Sequence, residues 1–128
     1  WTDWKRFVNN QLFKNGFIDK KDFNLFRIVK SVDEAIKYIE DFYRIYHSIR
    51  YDSGLTVLRL NKKISGETLN LINRKFKDIL TGGEIRFSPP TEKEMEKREY
   101  LELPRLVMNF NLRDYGRLCE MIRVINRD

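Results

Sequence analysis

The sequence holds a single cysteine, Cys119, and a single histidine, His47. One cysteine excludes an intramolecular disulfide framework and suits a reducing compartment, so the expected location is the cytoplasm. One His and one Cys far apart do not supply the three or four ligands of a zinc-type site, and no calcium-loop spacing is present. No metal and no cofactor are expected. No apolar run approaches the roughly 18 residues of a membrane span, and no signal-peptide pattern opens the chain. A long basic cluster is missing as well. The net charge is +6, but residues 1–50 carry 10 basic and 7 acidic side chains and residues 51–128 carry 15 and 12, so the excess is spread evenly. Lys20-Lys21 and Lys62-Lys63 are only doublets, and the run from Glu92 to Glu99 mixes both signs. A nucleic-acid surface shows a stripe of one sign, so nucleic acid is not an expected partner. The initiator methionine is absent too: the chain starts Trp1-Thr2-Asp3-Trp4 and is expected to be a piece of a longer protein.

What is present is a core's worth of apolar residues, 41% hydrophobic with 13% aromatic, which argues against disorder. Asp3 is an N-cap candidate, Trp4, Phe7, Val8 and Leu12 follow at helical spacing, and Gly16 marks a stop. Leu25 to Val29 reads as a short strand. Ser31 and Glu34 form an S-x-x-E capping pattern for a second helix with the stripe Val32, Ala35, Ile36, Ile39, Phe42, Tyr43, Tyr46, expected to run to about His47. Ile49–Tyr51 and Leu55–Leu60 read as extended segments around an Asp52-Ser53-Gly54 turn. Ser65 opens a third helix with the face Leu69, Ile72, Phe76, Ile79, Leu80, ended by Gly82-Gly83. Ile85 and Phe87 mark a strand that stops at Pro89-Pro90. Thr91 to Leu103 is a charged connection with room for one short helix. Leu106–Phe110 is a strand, and Asn111 caps a last helix with Leu118, Met121, Ile122 and Ile125 on one face.

The expected class is α+β. Residues 1–46 would be an α-β-α tail of a Rossmann-like α/β domain, and residues 47–128 a small ferredoxin-like β-α-β-β-α accessory domain without its final strand. A lone strand at Leu25–Val29 needs a neighbour, which points to a missing N-terminal domain or a partner chain.

If the second helix persists, Tyr43, Tyr46, His47 and Arg50 fall at i, i+3, i+4 and i+7 on one face. Such a face stacks a base or clamps a phosphate through Arg50, with His47 as a donor. The same aromatics also suit plain packing against a neighbouring domain. Glu92, Glu94, Glu96 and Glu99 lie in a Lys/Arg-rich stretch without apolar neighbours and read as solvated. Cys119, beside the last apolar stripe, reads as a buried inert thiol. Gly82-Gly83 follows a helix and precedes a strand, the reverse of a phosphate-cradling loop.

Asp3-Trp4 through Asn15-Gly16-Phe17-Ile18, then Leu25-Phe26-Arg27-Ile28-Val29 and Val32-Asp33-Glu34-Ala35, resembles the end of the Rossmann domain of Lonely-guy-type proteins. That family includes nucleoside 5′-monophosphate phosphoribohydrolases. Phe42-Tyr43-Arg44, Tyr46-His47-Ser48, Arg50-Tyr51, Leu58-Arg59-Leu60, Asp78-Ile79-Leu80 and Leu103-Pro104-Arg105-Leu106-Val107 resemble the extra C-terminal domain of its longer bacterial members. The resemblance implies a homodimeric nucleotide-processing parent. The family's P-G-G-x-G-T-x-x-E signature has no counterpart here, since Gly82-Gly83 lacks the Pro, the third Gly, the Thr and the Glu. No catalytic residue carries over. The reading is a non-catalytic C-terminal fragment that serves association or regulation of the parent's nucleotide site, with a nucleoside monophosphate as the ligand to test. The alternative is a stand-alone small-ligand or protein-binding module that dimerises through the aromatics near Trp1 and Trp4.

Overall fold

Ser53 and Gly54 both adopt positive φ, 51° and 84°. Two successive left-handed residues make the tight turn whose twist matches a β-hairpin. The computed structural model, which describes residues 1–128, accordingly folds Tyr46–Asp52 (β1) antiparallel onto Leu55–Leu60 (β2). Gly66–Lys75 forms helix α3, with the Ser65 hydroxyl accepting from the Thr68 N–H. A short 3-10 turn at Lys77–Ile79 leads into Leu80–Phe87 (β3). Glu92–Lys97 forms the short helix α4 under a reciprocal Thr91/Glu94 capping box. Arg105–Phe110 (β4) and Tyr115–Ile125 (helix α5) complete this part.

The result is an α+β fold on one four-stranded antiparallel sheet in the order β1-β2-β4-β3. Strands β2 and β3, joined by α3, both pair antiparallel with β4 between them. Alternation then assigns the two faces. Leu58 and Leu60 of β2 and Leu106, Met108 and Phe110 of β4 join Ile72 and Phe76 of α3 and Leu118, Met121, Ile122 and Ile125 of α5 in one buried cluster. Val57, Arg59, Arg105 and Val107 point to the other face, and they are buried as well. Helix α4 and the segment after it cover them.

Three expected elements fail here, each for a physical reason. The second helix (α2, Val32–Phe42) stops well short of His47. The Asn126 carboxamide oxygen accepts from the N–H groups of Ile45 and Tyr46 at 2.8 and 2.9 Å, and its NH₂ donates to the Phe42 carbonyl. Those bonds replace a further helical turn, and β1 then pairs from Tyr46 onward. Gly82 and Gly83 do not end a helix: they lie inside β3, at a register irregularity, with Gly83 at φ 70°. Leu25–Val29 is not a strand. Lys20–Leu25 is a 3-10 helix under an Asp19/Asp22 capping box, and Phe26 is extended but pairs with no strand. The lone-strand reason for a missing sheet therefore lapses.

The N-terminal segment begins with Thr2–Phe7 (helix α1), continues as a π-helical turn over Val8–Phe13, and ends at Gly16, φ 75°. Its N-cap is Trp1, not Asp3. The 3-10 helix docks on α5, where a Cβ on Gly116 would lie 2.1 Å from the Lys21 carbonyl oxygen. Only glycine permits that approach. At the start of α5, Asn111 accepts from the Arg113 and Asp114 N–H groups and forms the turn before the helix, and Asp114 takes the N-cap position. No helix is long and apolar enough to cross a membrane.

Candidate functional site

The termination of α2 disperses the four residues expected on one helical face. Tyr43 is exposed just past α2, and its ring stacks on Tyr46 at 5.7 Å. Tyr46 points into the core, where burial, reinforced by Tyr43 and Cys119, pushes its phenol up to about 12. His47, the extra residue at the register shift in β1, turns to the other face and lies 4.7 Å from the Tyr100 ring, with Nδ1 2.9 Å from the Ser48 hydroxyl. Arg50 is exposed on that same face, 3.9 Å from Glu99. The fold thus brings Tyr43 to Tyr46 on one side of the sheet and places His47 and Arg50 on the other.

A different set of residues converges. Between the N-terminal segment, α2 and the end of α5 lies a cleft of about 560 Å³, lined by Phe23, Phe26, Tyr38 and Phe42 and by four arginines, Arg27, Arg44, Arg123 and Arg127. That volume is within the roughly 300–1,000 Å³ of small-molecule sites. Two arginines are fixed in place. Arg123 donates from Nη2 to the Asn24 carbonyl at 2.7 Å and to the Tyr38 hydroxyl at 2.9 Å, and from Nη1 to the Asn24 side chain at 3.1 Å. Arg27 sits over the Tyr38 ring at 5.2 Å and reaches Glu34 at 3.5 Å. Arg44 and Arg127, by contrast, enter none of the protein's ion pairs and are exposed. The single acid in the lining, Asp41, is already 3.5 Å from Lys37. Phe23 and Phe26, with ring centroids 5.9 Å apart, form an aromatic wall that Trp4 extends at 4.8 Å from Phe26.

The chemistry available is recognition: a planar apolar group against the phenylalanines and an anion against the two free guanidinium groups. Asp41 is the one carboxylate in the lining, and no group of metal ligands is present. Cys119 is half-buried on α5 and burial raises its thiol, which makes it a poor nucleophile. Sequence reading missed this cleft because its walls are 80 to 100 residues apart, as the Asn24–Arg123 bond illustrates.

The acidic run holds the second correction. Glu94 is not solvated: it is 5% exposed and bridges two buried arginines, 2.6 Å from Arg59 Nε and 2.8 Å from Arg105 Nε. Burial opposes its ionisation, but the Thr91 N–H, Arg59 and Arg105 outweigh that and hold the carboxyl below its ordinary range. The signal was in the sequence: Thr91-x-x-Glu94 is a capping box that aims this one glutamate inward while Glu92 and Glu96 stay exposed. No family model, curated protein or solved structure matches the chain.

Proposed function

We propose that this chain is a non-catalytic module of a Lonely-guy-type nucleotide phosphoribohydrolase, and that its arginine-lined cleft takes a phosphorylated aromatic ligand such as a nucleoside monophosphate to regulate the parent's nucleotide site. One observation carries this reading: Phe23 and Phe26 line a cleft of nucleotide size together with Arg44 and Arg127, and the two arginines enter no ion pair. The likeness of the sheet order to a ferredoxin-like sandwich, with β1 in the place of that fold's last strand, agrees with an accessory domain. Helix α2 supports an association role. Val32, Ile36 and Ile39 form a stripe on it, continued by Tyr43 at its C-cap, that is 74, 49, 56 and 51% exposed. A missing Rossmann-like domain or a partner chain is the occupant this reading assigns to that stripe.

Calorimetric titration of the purified chain with AMP tests the ligand. Wild type should bind, the Arg44→Ala/Arg127→Ala variant should bind about tenfold or more weakly, and AMP should not be cleaved to adenine. Equal binding by the two proteins, or no binding, refutes the cleft; release of adenine refutes the non-catalytic reading. A second reading rests on Trp1 and Phe7, 80 and 52% exposed, which favour self-association of a stand-alone module. Light scattering that gives a monomer for wild type refutes it, whereas a dimer that Trp1→Ala and Phe7→Ala disrupt supports it.

A further inference from the structure

The face of the sheet opposite the core cluster carries two buried arginines, and their hydrogen-bond accounts differ. Every side-chain nitrogen of Arg105 has a partner: Nε donates to Glu94, Nη1 to the Leu103 carbonyl and Nη2 to the Tyr100 carbonyl, at 2.8, 2.6 and 2.6 Å. Arg59, whose side chain is 1% exposed, donates from Nε to Glu94 and from Nη2 to Glu99 at 3.3 Å. Its Nη1 has no partner, and it is the one buried side-chain nitrogen or oxygen in the protein left so. A buried guanidinium nitrogen without any partner is an unusual arrangement, because each such donor gave up water to get there.

Arg59 borders a cavity of about 160 Å³ over β1 and β2, under α4 and the segment that follows it. The acids in its lining are engaged. Glu94 serves two arginines, Glu99 meets Arg59 and Arg50, and Asp52 accepts from Lys93 at 2.7 Å. The cations are not all engaged. Lys97 enters no ion pair, Arg50 has only the 3.9 Å contact, and Thr91 stands alongside them, over Val57 as an apolar floor. What is unmet on this surface is positive charge and hydrogen-bond donation. The space is too small for a nucleotide.

We infer that this cavity is a second site, separate from the arginine-lined cleft and on the other face of the sheet, for a small oxyanion of the phosphate class, held by Arg59 Nη1 with Lys97 and Arg50. Guanidinium groups match phosphate oxygens in geometry as well as charge, and an oxyanion supplies the acceptor that Arg59 lacks. A doubly charged anion suits the site better than a carboxylate, since Arg50 and Lys97 line the cavity beside Arg59. The site is independent of any ligand in the other cleft.

The test is titration of the full chain with inorganic phosphate at constant ionic strength, following the arginine Nε–Hε NMR signals. The Arg59 signal should shift saturably, with acetate producing a smaller shift and chloride none. Arg50→Ala and Lys97→Ala alter exposed side chains and leave the fold intact; the double variant should weaken phosphate binding about tenfold or more. Arg44→Ala/Arg127→Ala, in the other cleft, should leave the Arg59 response unchanged. Absence of a saturable shift, an equal shift with chloride, or full affinity in the Arg50/Lys97 variant overturns the site. Loss of the response only in the Arg44/Arg127 variant also overturns it, by moving the phosphate to the first cleft.

Discussion

Replacing Glu94 by alanine removes the carboxylate on which both buried arginines depend. In the native protein its oxygens lie 2.6 Å from Arg59 Nε and 2.8 Å from Arg105 Nε, and one of them also accepts from the Thr91 N–H at 2.9 Å. With the side chain gone, two guanidinium groups that are each 1% exposed lose the only anion they share. Breaking a buried pair by deleting one partner costs about 3–5 kcal/mol, most of it the uncompensated charge left behind. Arg105 keeps its two carbonyl bonds, which places the expected loss toward the lower half of that range. A chain of 128 residues unfolds with an entropy of about 0.27 kcal/mol/K, at roughly 2.1 cal/mol/K per residue, so a loss of about 3–4 kcal/mol should lower the midpoint by about 11–15 °C. Differential scanning calorimetry near neutral pH measures it, with Glu96→Ala as a control for an exposed residue of the same helix, expected within about ±0.5 kcal/mol of wild type. The pH dependence has a definite sign. Glu94 titrates lower in the folded state than in the unfolded chain, so its stabilisation is present above the ordinary carboxylate range and is lost as pH falls through the lowered value. The gap between wild type and Glu94→Ala should therefore narrow in acid. A Glu94→Ala midpoint equal to that of Glu96→Ala would refute the reasoning.

Gly116→Ala puts a methyl group 2.1 Å from the Lys21 carbonyl oxygen and should push the 3-10 segment off α5, costing about 1–3 kcal/mol despite alanine's better helix propensity. Trypsin should then cut at Lys20 or Lys21 faster than in wild type; unchanged cleavage with a raised midpoint would mean the approach is looser than drawn. The Cys119 thiol, raised by burial, should react with an aromatic disulfide reagent far more slowly than a free thiol at pH 8, and at the free rate once the protein is unfolded in urea. Reaction at the free rate in the native state would contradict its burial.

How much of this was legible before the structure varies with the range of the interaction responsible. Local chemistry could be read directly. The Ser65 cap, the Ser53-Gly54 turn, the apolar face Leu118, Met121, Ile122, Ile125 and the stop at Pro89-Pro90 all follow from side chains within a few residues of the feature they make. The aromatic run from Tyr43 to Arg50 could not be settled that way, because its apolar residues fit a helical period and a strand equally well. Asn126, 80 residues away, decides it by taking the N–H groups of Ile45 and Tyr46. That one carboxamide separates Tyr46 from His47 and Arg50 and dissolves the site expected on a helix.

Charge behaved in the same manner. Composition determined that the +6 is spread along the chain and that no basic stripe exists. Only the tertiary structure decided which charges are buried together, with Glu94 between Arg59 and Arg105, and which are gathered without partners, as with Arg44 and Arg127 in the cleft. Caps, turns and periodicity arise from neighbours along the backbone, so the sequence by itself determined them. Ion pairs and clefts arise from neighbours in space, and those exist only once β1-β2-β4-β3 and α5 have brought distant segments to one another.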